Sequence, residues 1–459
     1  MSQTTFSSLQ LSPSLLKNLS TLSYHFMTPI QAQSLPHILT EKDVIAQGKT
    51  GSGKTAAFGL GLLHKLDVKY FRIQALVLCP TRELADQVSK EIRRLARAVH
   101  NIKVLTICGG MPFGPQLNSL EHGAHIIVGT PGRIEDHLSR GTLKLDNVNT
   151  LVLDEADRML DMGFQSSLDA IIDQIPGKHQ TLLFSATFPD KIRSISERVM
   201  KHPTMVKVES THDDNSITQH FYKTDDKERM NALRLLLLQH HPESSIVFCN
   251  TKRETQQVAD KLNHYGFSVL ALHGDLEQRD RDLTLTRFTN KSISILVATD
   301  VAARGLDIDA VDAVFNYHMA HDTETHIHRI GRTGRAGSVG VAYSLFDEDD
   351  DFLLALLGEA IDQVIESKQL PPKSILSNEP IQAQMITLQI DGGKKQKLRP
   401  GDILGALTGE NGIEAKQVGK IQINANGSYV AVNKEAAQSG IKKLSQGKLK
   451  GRSFRVRKV

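Results

Sequence analysis

The chain has 459 residues, of which 40% are hydrophobic and 23% are charged, and its formal net charge is +4. These values are ordinary for a soluble globular protein and allow about three domains. The three cysteines, Cys79, Cys108 and Cys249, have no metal-ligand spacing and form no even framework, which argues against zinc and disulfides and favours a reduced cytosolic protein. No secretory signal is visible at the start, and no apolar run is long enough to span a bilayer. We therefore expect a cytoplasmic protein.

Charge is distributed unevenly along the chain. Residues 381–459 carry 11 Lys and 4 Arg against 5 acids, a net charge of +10, whereas the other 380 residues carry 40 basic and 46 acidic residues, a net charge of −6. A basic tail on a mildly acidic body indicates binding to a polyanion. A solubilising tail is the weaker alternative, because the basic residues are interleaved with strand-like and glycine-turn segments.

The first half of the chain repeats a short apolar run, a polar turn and an amphipathic stretch. Such runs are typical of parallel strands that are buried on both faces. They are Ala75–Cys79, Val104–Cys108, His125–Val128, Thr150–Leu153 and Thr181–Phe184. The pattern predicts a doubly wound α/β domain over residues 1–208.

The same pattern restarts after a polar segment at 209–216, which we interpret as a flexible linker. Its strand-like runs are Ser245–Cys249, Ser268–Leu272, Ser294–Ala298, Ala313–Asn316 and Gly340–Leu345, followed by a helical stretch, Phe352–Ser367. A second doubly wound domain is therefore predicted over 217–368.

The basic tail at 381–459 has a different order of elements. Residues 369–380 contain Pro371 and Pro372 and are interpreted as a second linker, with a reach of roughly 20 Å if it is flexible. After it we expect strand, helix, strand, strand, helix, strand, at Ala383–Ile390, Pro400–Thr408, Val418–Asn424, Ser428–Val432, Lys434–Gln446 and Arg452–Lys458. This order is that of the split βαβ fold of many RNA-binding modules.

A glycine-rich segment between an apolar run and a helical stretch fits the Walker A pattern, Gly48-x4-Gly53-Lys54-Thr55. The backbone N–H groups of such a loop bind phosphate oxygens, helped by the dipole of the following helix. Lys54 would hold the β- and γ-phosphates, and Thr55 would hold Mg²⁺. The other predicted ATP contacts of this loop are Gly48, Thr50, Gly51, Ser52 and Gly53.

Two acids follow the apolar run Leu151–Leu153 directly. Asp154 would hold Mg²⁺, and Glu155 would orient and deprotonate the attacking water. A helix N-terminus that favours acids is the alternative, but it accounts for one carboxylate and not for the pairing with a phosphate-binding loop.

The second predicted domain contains the segment His328–Arg335, in which Arg332 and Arg335 lie three residues apart among glycines. A solvated basic loop is the bland interpretation. The interpretation that we favour is a guanidinium pair that reaches the γ-phosphate. Such arginine fingers raise the rate of hydrolysis by a factor of roughly 10³–10⁵. Because these arginines belong to the other domain, hydrolysis would require domain closure.

The ordered set of motifs resembles a DEAD-box RNA helicase over residues 6 to 368. The segments that carry the resemblance are Phe6 with Met27–Gln31, Ala46–Thr55, Pro80–Leu84, Gly109-Gly110, Thr130–Arg133, Asp154–Asp157, Ser185–Thr187, Val247–Asn250, Gln278 with Arg281, Ala298–Asp307 and His328–Arg335. The chain departs from the family at Ser23, where glycine is common. The fold that the resemblance implies is two tandem RecA-like doubly wound parallel-sheet domains.

The resemblance also implies roles for single residues. Gln31 would read the adenine edge, Tyr24 would stack on the base and Asp307 would contact the ribose, so ATP with Mg²⁺ is the expected cofactor. Ser185, Thr187 and His328 would couple the nucleotide state to the RNA site. The residues expected to grip RNA phosphates and 2′-hydroxyls are Arg82, Gly110, Thr130, Arg133, Asn250, Gln278 and Thr299.

The tail resembles that of the bacterial DEAD-box protein A subfamily, a small α+β module like an RNA recognition motif that binds a hairpin of 23S ribosomal RNA. The aromatic signature of such modules is reduced here to Tyr429, so we expect basic loops to contact the RNA. These residues are Lys394, Lys395, Lys397, Arg399, Lys448, Lys450, Arg452 and Arg455.

The resemblance implies an ATP-dependent, RNA-stimulated helicase that remodels 23S rRNA during assembly of the large (50S) ribosomal subunit, with pre-50S particles as partners and a monomeric state. An RNA clamp that uses ATP as a switch and a DNA helicase are the alternatives. Duplex displacement beside the cognate hairpin distinguishes the first, and a comparison of ATPase stimulation by RNA and by DNA distinguishes the second.

Overall fold

The computed structural model describes residues 4–48, 51–188, 190–208, 217–303, 310–334, 340–361 and 364–459. Three residues with predicted roles, Thr50, Asp307 and Arg335, lie outside this part of the chain, as does the predicted linker at 209–216. The chain divides into two compact units, and the described residues belong to the first up to 208 and to the second from 217 onwards. No helix in the described ranges is both long and apolar enough to cross a membrane.

The first unit is a seven-stranded parallel sheet in the order β3-β4-β2-β5-β6-β1-β7. Its strands are β1 Val44–Gln47, β2 Ala75–Leu78, β3 Val104–Ile107, β4 Ile126–Gly129, β5 Thr150–Asp154, β6 Gln180–Ser185 and β7 Thr204–Lys207. Its helices are α1 Pro13–Thr21, α2 Pro29–Leu39, α3 Lys54–Lys65, α4 Arg82–Leu95, α5 Phe113–Glu121, α6 Pro131–Ser139, α7 Ala156–Asp161, α8 Gln165–Ile172 and α9 Asp190–Val199.

Two hydrophobic layers enclose this sheet. Alternate residues of one strand point into different layers: Val77 of β2 packs into one core cluster, and Leu76 and Leu78 pack into the other. Because both faces are covered, β2, β4, β5 and β6 are buried along their whole length. This explains why the sequence shows continuous apolar runs rather than alternation.

The second unit begins with another seven-stranded parallel sheet, in the order β10-β11-β9-β12-β13-β8-β14. Its strands are β8 Ile217–Lys223, β9 Ser245–Cys249, β10 Val269–Leu272, β11 Ile295–Thr299, β12 Ala313–Asn316, β13 Gly340–Phe346 and β14 Ser367–Lys368. Its helices are α10 Arg229–His240, α11 Lys252–His264, α12 Gln278–Thr289, α13 Asp300–Ala303, α14 Thr323–Ile330 and α15 Asp351–Ile361. The predicted helix at Phe352–Ser367 is shorter than expected, because Ser367 already pairs with β8.

The tail forms a separate four-stranded antiparallel sheet in the order β16-β17-β15-β18. Its elements are β15 Met385–Ile390, α16 Pro400–Thr408, β16 Val418–Ile423, β17 Ser428–Asn433, α17 Ala437–Gln446 and β18 Val456–Lys458. The predicted order of strands and helices is confirmed. The last strand is shorter than the predicted Arg452–Lys458, because Leu449 and Arg452 pair with each other in a turn.

The second predicted linker, whose flexibility the sequence left open, packs against the domain that precedes it. After β14, residues 369–380 run along the second parallel-sheet domain as an ordered strap that contains a short 3-10 helix, Lys373–Ser377. Leu370, Ile375 and Leu376 pack against the core of that domain, and Lys373 pairs with Glu228 at 3.0 Å. These three apolar side chains lose part of their contact with solvent, which stabilises the strap, and the two prolines do not prevent this packing.

The antiparallel sheet of the tail also contacts the second parallel-sheet domain. Thr387 lies on the face of β15 opposite to the core residues Leu388 and Ile390, yet it is fully buried. Its hydroxyl accepts a hydrogen bond from Asn290 Nδ2 at 3.1 Å and contacts the hydroxyl of Ser292. The outer face of this sheet is therefore covered around Thr387.

Candidate nucleotide and RNA sites

The predicted phosphate-binding loop follows β1 and leads into α3. Gly48 N–H donates to Ser185 O at 3.0 Å, and the buried Lys54 Nζ donates back to Gly48 O at 2.7 Å. Gly53 has a φ of +93°, and a Cβ there would stand 2.4 Å from Gln31 Nε2. Only glycine fits this position, because any side chain would meet both backbone strain and a steric clash.

Gln31 lies directly against this loop. Its Oε1 accepts from Thr28 N–H at 2.9 Å and its Nε2 donates to Gly53 O at 3.0 Å. The hydroxyl of Thr28 donates to Ser52 O at 2.7 Å. The start of α2 is thus tied to the phosphate-binding loop by two hydrogen bonds, those of Gln31 Nε2 and Thr28 Oγ1, and the Thr28 N–H bond orients the Gln31 amide.

Tyr24 lies at the edge of the same region and is half-buried. Its hydroxyl donates to Glu91 Oε1 at 2.9 Å, and its ring meets Phe6 edge-on with ring centroids 6.1 Å apart. Burial, and next the charge of Glu91, raise the pKa of Tyr24 to about 12. The preceding Ser23 has a φ of +63°, which explains why glycine is favoured there.

The two acids predicted for catalysis lie at the carboxyl end of β5. Asp154 is 3% exposed and Glu155 is 8% exposed. Burial raises the pKa of Asp154 to about 7; the charge of Lys54 opposes this shift and that of Glu155 adds to it. Glu155 forms a buried ion pair with Arg158, a residue that the sequence analysis missed although it lies one helical turn further on.

The coupling residues Ser185 and Thr187 are bound to the acid motif. Thr187 donates to Asp157 Oδ2 from its backbone and from its hydroxyl, both at 2.9 Å, and Ser185 Oγ accepts from Asp157 N–H at 3.4 Å. Burial alone would raise the pKa of Asp157, but these hydrogen bonds outweigh it and lower the pKa. The ends of the neighbouring strands β5 and β6 are thus connected by charge-assisted hydrogen bonds.

A metal ion fits the donors at this site. Thr55 and Asp154 offer a hydroxyl and a carboxylate, hard oxygen ligands of the kind that Mg²⁺ takes together with substrate phosphates. Among the described residues there is no cluster of three or more His, Cys, Asp or Glu side chains that could hold a metal without a nucleotide.

The structure brings together the four residues of the first unit that were predicted to bind RNA. The guanidinium of Arg82 lies against Gly110: with a φ of +68°, a Cβ on this glycine would be 1.6 Å from Arg82 Nη1. Thr130 Oγ1 accepts from Gly109 N–H at 3.3 Å, and Arg133 Nη1 donates to Met111 O at 2.9 Å. The loop at 109–111 therefore joins all four.

One buried residue beneath this cluster, Gln116, was missed by the sequence analysis. It is 8% exposed and contacts the Arg133 guanidinium. A polar residue at a buried position of an otherwise amphipathic helix was the only available signal, and it could not indicate the partner.

In the second unit, Arg329 is the centre of a buried network. It donates to both carboxylate oxygens of Asp300, at 2.7 and 2.8 Å, and to Asn250 Oδ1 at 2.7 Å. Asn250 also donates to Met319 O at 3.1 Å. The side chain of Asn250, which was predicted to bind RNA, is therefore held in place by hydrogen bonds to the protein. Neither Arg329 nor Asp300 was among the predicted site residues.

The remaining predicted residues of this unit differ in exposure. Arg332 and Thr299 are buried, and His328 and Gln278 are half-exposed. Thr299 Oγ1 accepts from Ala302 N–H at 3.4 Å, which caps the short helix α13. Gln278 Nε2 donates to Asp282 Oδ1 at 2.8 Å along α12.

The basic residues of the tail are exposed and lie on its loops. Lys394 and Lys395 bind the 424–427 turn through their backbones, at 2.8 Å to Asn424 O and 3.0 Å to Ala425 O. Lys450 Nζ donates to Lys397 O at 2.6 Å and pairs with Asp402 at 3.2 Å, which brings the loop after α17 to the loop before α16. The exposed residues that these contacts gather are Lys394, Lys395, Lys397, Arg399, Lys448, Lys450 and Arg452, hereafter the basic loop cluster. Arg455 is exposed beyond it, at the start of the last strand.

Tyr429 does not present an open aromatic platform. It is half-buried, and burial raises its pKa, with further effects from Arg279 and Asp282 of α12. That stacking on the sheet face contributes little to RNA binding stays a prediction.

Three family models match this chain in order. They are the DEAD/DEAH box helicase model over 28–195, the helicase conserved C-terminal domain over 228–337 and the DbpA RNA binding domain over 387–458. The fold and the nucleotide site therefore define a helicase: the chain belongs to the DEAD-box family and is an ATP-dependent RNA helicase with an RNA-binding tail of the DbpA type.

Particular relatives agree with this assignment. The chain is 54% identical over 455 residues to ATP-dependent RNA helicase DbpA of Escherichia coli, covering 99% of both chains. It is 48% identical over 340 residues to DEAD-box ATP-dependent RNA helicase CshA of Geobacillus kaustophilus, covering 74% of this chain and 73% of the relative. Among solved structures it resembles S. cerevisiae Dbp5 bound to RNA and ADP BeF3, with a TM-score of 0.72, 31% identity and coverage of 80% and 95%.

Proposed function

We propose that this helicase recognises a hairpin of 23S rRNA through the basic loop cluster and remodels adjacent RNA during assembly of the 50S subunit in the cytoplasm. The observation that carries the proposal is the likeness to DbpA along the whole chain, including the RNA-binding tail. The concentration of +10 net charge in residues 381–459 supports a polyanionic partner at this end.

The proposed organisation is three domains, 1–208, 217–368 and 381–459, acting as a monomer. The first would bind ATP through Tyr24, Gln31 and the loop at 48–55, and the second would complete the site with Arg332, Arg335 and Asp307. Pre-50S particles are the proposed partners, and RNA rather than DNA is the proposed substrate.

In the proposed reaction, Lys54 neutralises the β- and γ-phosphates and Glu155 accepts the proton of the attacking water. Thr55 and Asp154 would hold Mg²⁺, which supplies charge neutralisation on the phosphate oxygens. Ser185 and Thr187 pass a displacement of Asp157 from the nucleotide site to β6, because their hydrogen bonds connect these elements. His328 would contribute from the second domain.

The RNA role of the tail can be tested in the full-length chain. Replacing Lys394, Lys395 and Lys397 together by Gln should weaken binding of a 23S rRNA hairpin transcript and reduce the salt dependence by about two to three units in log–log slope. ATPase stimulation by that transcript should fall with it. The matched control replaces Lys416, Lys420 and Lys434, three exposed tail lysines outside the basic loop cluster. Equal losses in both variants would contradict the assignment.

The cellular role needs a separate measurement. Cells that lack this protein should accumulate pre-50S particles in sucrose gradients, and the wild-type gene but not the triple Gln variant should restore mature subunits. A normal particle profile in the deletion strain would contradict the assembly role while leaving the ATPase intact.

A further inference from the structure

The buried amide of Gln116 connects three segments of the first unit. Its Nε2 donates to Cys108 O at 2.8 Å, at the end of β3. Its Oε1 accepts from Arg133 Nη1 at 3.1 Å and lies 3.2 Å from Nε2 of the buried His137, both on α6. An amide side chain supplies a donor and an acceptor together without any change of protonation state.

These contacts hold the side chain of Arg133, which is 15% exposed, from its inner side. Arg133 Nη1 is shared between Gln116 and Met111 O, which is 2.9 Å away, so one nitrogen of the guanidinium is fixed to the 109–111 loop. Within the described part of the chain, no hydrogen bond engages Nη2 of this arginine. Because the protein holds Nη1, it also sets the direction in which Nη2 points.

The loop itself depends on the same amide. Cys108, whose carbonyl accepts from Gln116, directly precedes Gly109 and Gly110. The guanidinium of Arg82 packs against the Cα of Gly110. A buried carbonyl that loses its donor is left without a hydrogen bond, which is unfavourable, so the chain would shift to recover a partner. Such a shift would move both glycines and both arginines.

We infer that Gln116 is a positioning residue of the RNA-binding surface, which holds the Arg133 guanidinium and the Gly109-Gly110 loop in the arrangement that meets the RNA phosphates. This inference rests on the proposed RNA contact of Arg133. It adds a residue that touches no RNA itself and acts only through its three hydrogen bonds.

The test uses the full-length protein, a fluorescent single-stranded oligouridine of ten nucleotides and a non-hydrolysable ATP analogue. Gln116→Met, which keeps the volume and removes both polar functions, should weaken oligouridine binding about tenfold, as expected for a lost hydrogen bond to a charged group. The log–log salt slope should fall by about 0.7, the value for one phosphate contact with a single strand. Affinity for the ATP analogue without RNA should stay unchanged.

Gln180→Met is the matched control. Gln180 is equally buried and donates to Ile38 O at 3.0 Å and Lys42 O at 2.8 Å, but it lies at the amino end of β6, away from the carboxyl ends that carry the site. It should lower the melting temperature without changing oligouridine affinity or salt slope. Equal effects of the two substitutions on RNA binding would reduce Gln116 to a stabilising residue and overturn the inference.

Two further variants separate the possible failures. Gln116→Glu keeps an acceptor for Arg133 and should lose less oligouridine affinity than Gln116→Met. In an Arg133→Ala background, Gln116→Met should add little further loss. If Arg133→Ala alone has no effect on binding, the proposed RNA contact fails. If Arg133→Ala weakens binding but Gln116→Met does not, or if their losses add fully, the positioning role fails and the contact remains.

Discussion

At the scale of single residues, two features of Glu155 show what the surrounding structure has to hold in place. It adopts a left-handed backbone conformation with a φ of +52°, and its carboxylate is paired with the buried Arg158. A non-glycine residue in this region of conformational space is uncommon and costs free energy, so the surrounding structure has to hold it there. The left-handed backbone and the ion pair with Arg158 together hold Glu155 beside Asp154.

Glu155→Gln should bind ATP and RNA but hydrolyse ATP at least a hundredfold more slowly, because the amide cannot accept the proton of water. The stalled protein should accumulate as a complex with ATP and RNA. Phosphate release measured under saturating RNA checks the prediction, and binding of a fluorescent ATP analogue is the control. Turnover at the wild-type rate would exclude Glu155 as the base.

Ser23→Gly should stabilise the first unit by about 1 kcal/mol, because Ser23 is held at a φ of +63° and glycine adopts this conformation without a steric penalty. Thermal unfolding of the full-length protein measures the effect. Ser139→Gly, at the end of the regular helix α6, is the control and should destabilise the protein instead. A loss of stability for Ser23→Gly would refute the strain argument.

Contacts between secondary-structure elements decide how the second parallel sheet responds to pH. His326 of α14 is buried, its Nε2 lies 2.9 Å from Gln219 Oε1 of β8, and its ring stacks on Phe221. Burial, and next the charge of Arg329, lower its pKa to about 3. The imidazole is therefore neutral in the folded state at pH values well above 3.

This lowered pKa predicts acid sensitivity. The unfolded chain binds a proton at His326 below about pH 6.5 and the folded chain does not. The contribution of this residue to stability is therefore complete above pH 6.5, falls by about 2 kcal/mol on acidification to pH 5, and continues to fall towards pH 3. Denaturant unfolding at pH 7 and pH 5 measures the loss. His326→Gln, which keeps a polar group for Gln219, should show a smaller difference between the two pH values, and an unchanged difference would contradict the assignment.

At the scale of the whole molecule, the strap at 369–380 and the covered face around Thr387 make the tail part of the second unit. The proposed RNA hairpin, bound by the basic loop cluster, would then be carried on a fixed support, and the docked sheet would set its orientation.

Thr387→Arg should separate hairpin binding from its effect on catalysis. The arginine cannot be accommodated beside Asn290 and Ser292, so the docked face would open. Binding of the 23S rRNA hairpin transcript should stay within about twofold of the wild type, and its stimulation of ATPase activity should fall about tenfold or more. Ser445→Arg, at an exposed position of α17, is the control and should change neither. Full stimulation in Thr387→Arg would show that docking is not needed.

The sequence by itself determined the order of elements and the local chemistry. Both parallel-sheet domains, the antiparallel tail and the two nucleotide motifs were predictable, because buried strands, Gly53-Lys54-Thr55 and Asp154-Glu155 are patterns of adjacent residues whose consequences are local. The strands β7, β8 and β14 were missed: β7 and β14 are short edge strands, and β8 is rich in polar residues, so none of them gives a strong apolar signal.

Only the tertiary structure decided which distant residues meet. The hydrogen bond of Arg329 to Asn250 and that of Thr387 to Asn290 join segments far apart along the chain, and those of Gln116 to Cys108 and Arg133 join three neighbouring but separate elements. A buried polar side chain needs a hydrogen-bond partner. The sequence shows which side chains are polar but not which group each one meets, because packing decides that. For the same reason the sequence left the flexibility of the second linker open: three of its apolar side chains pack against the second sheet domain, and only the fold provides that surface.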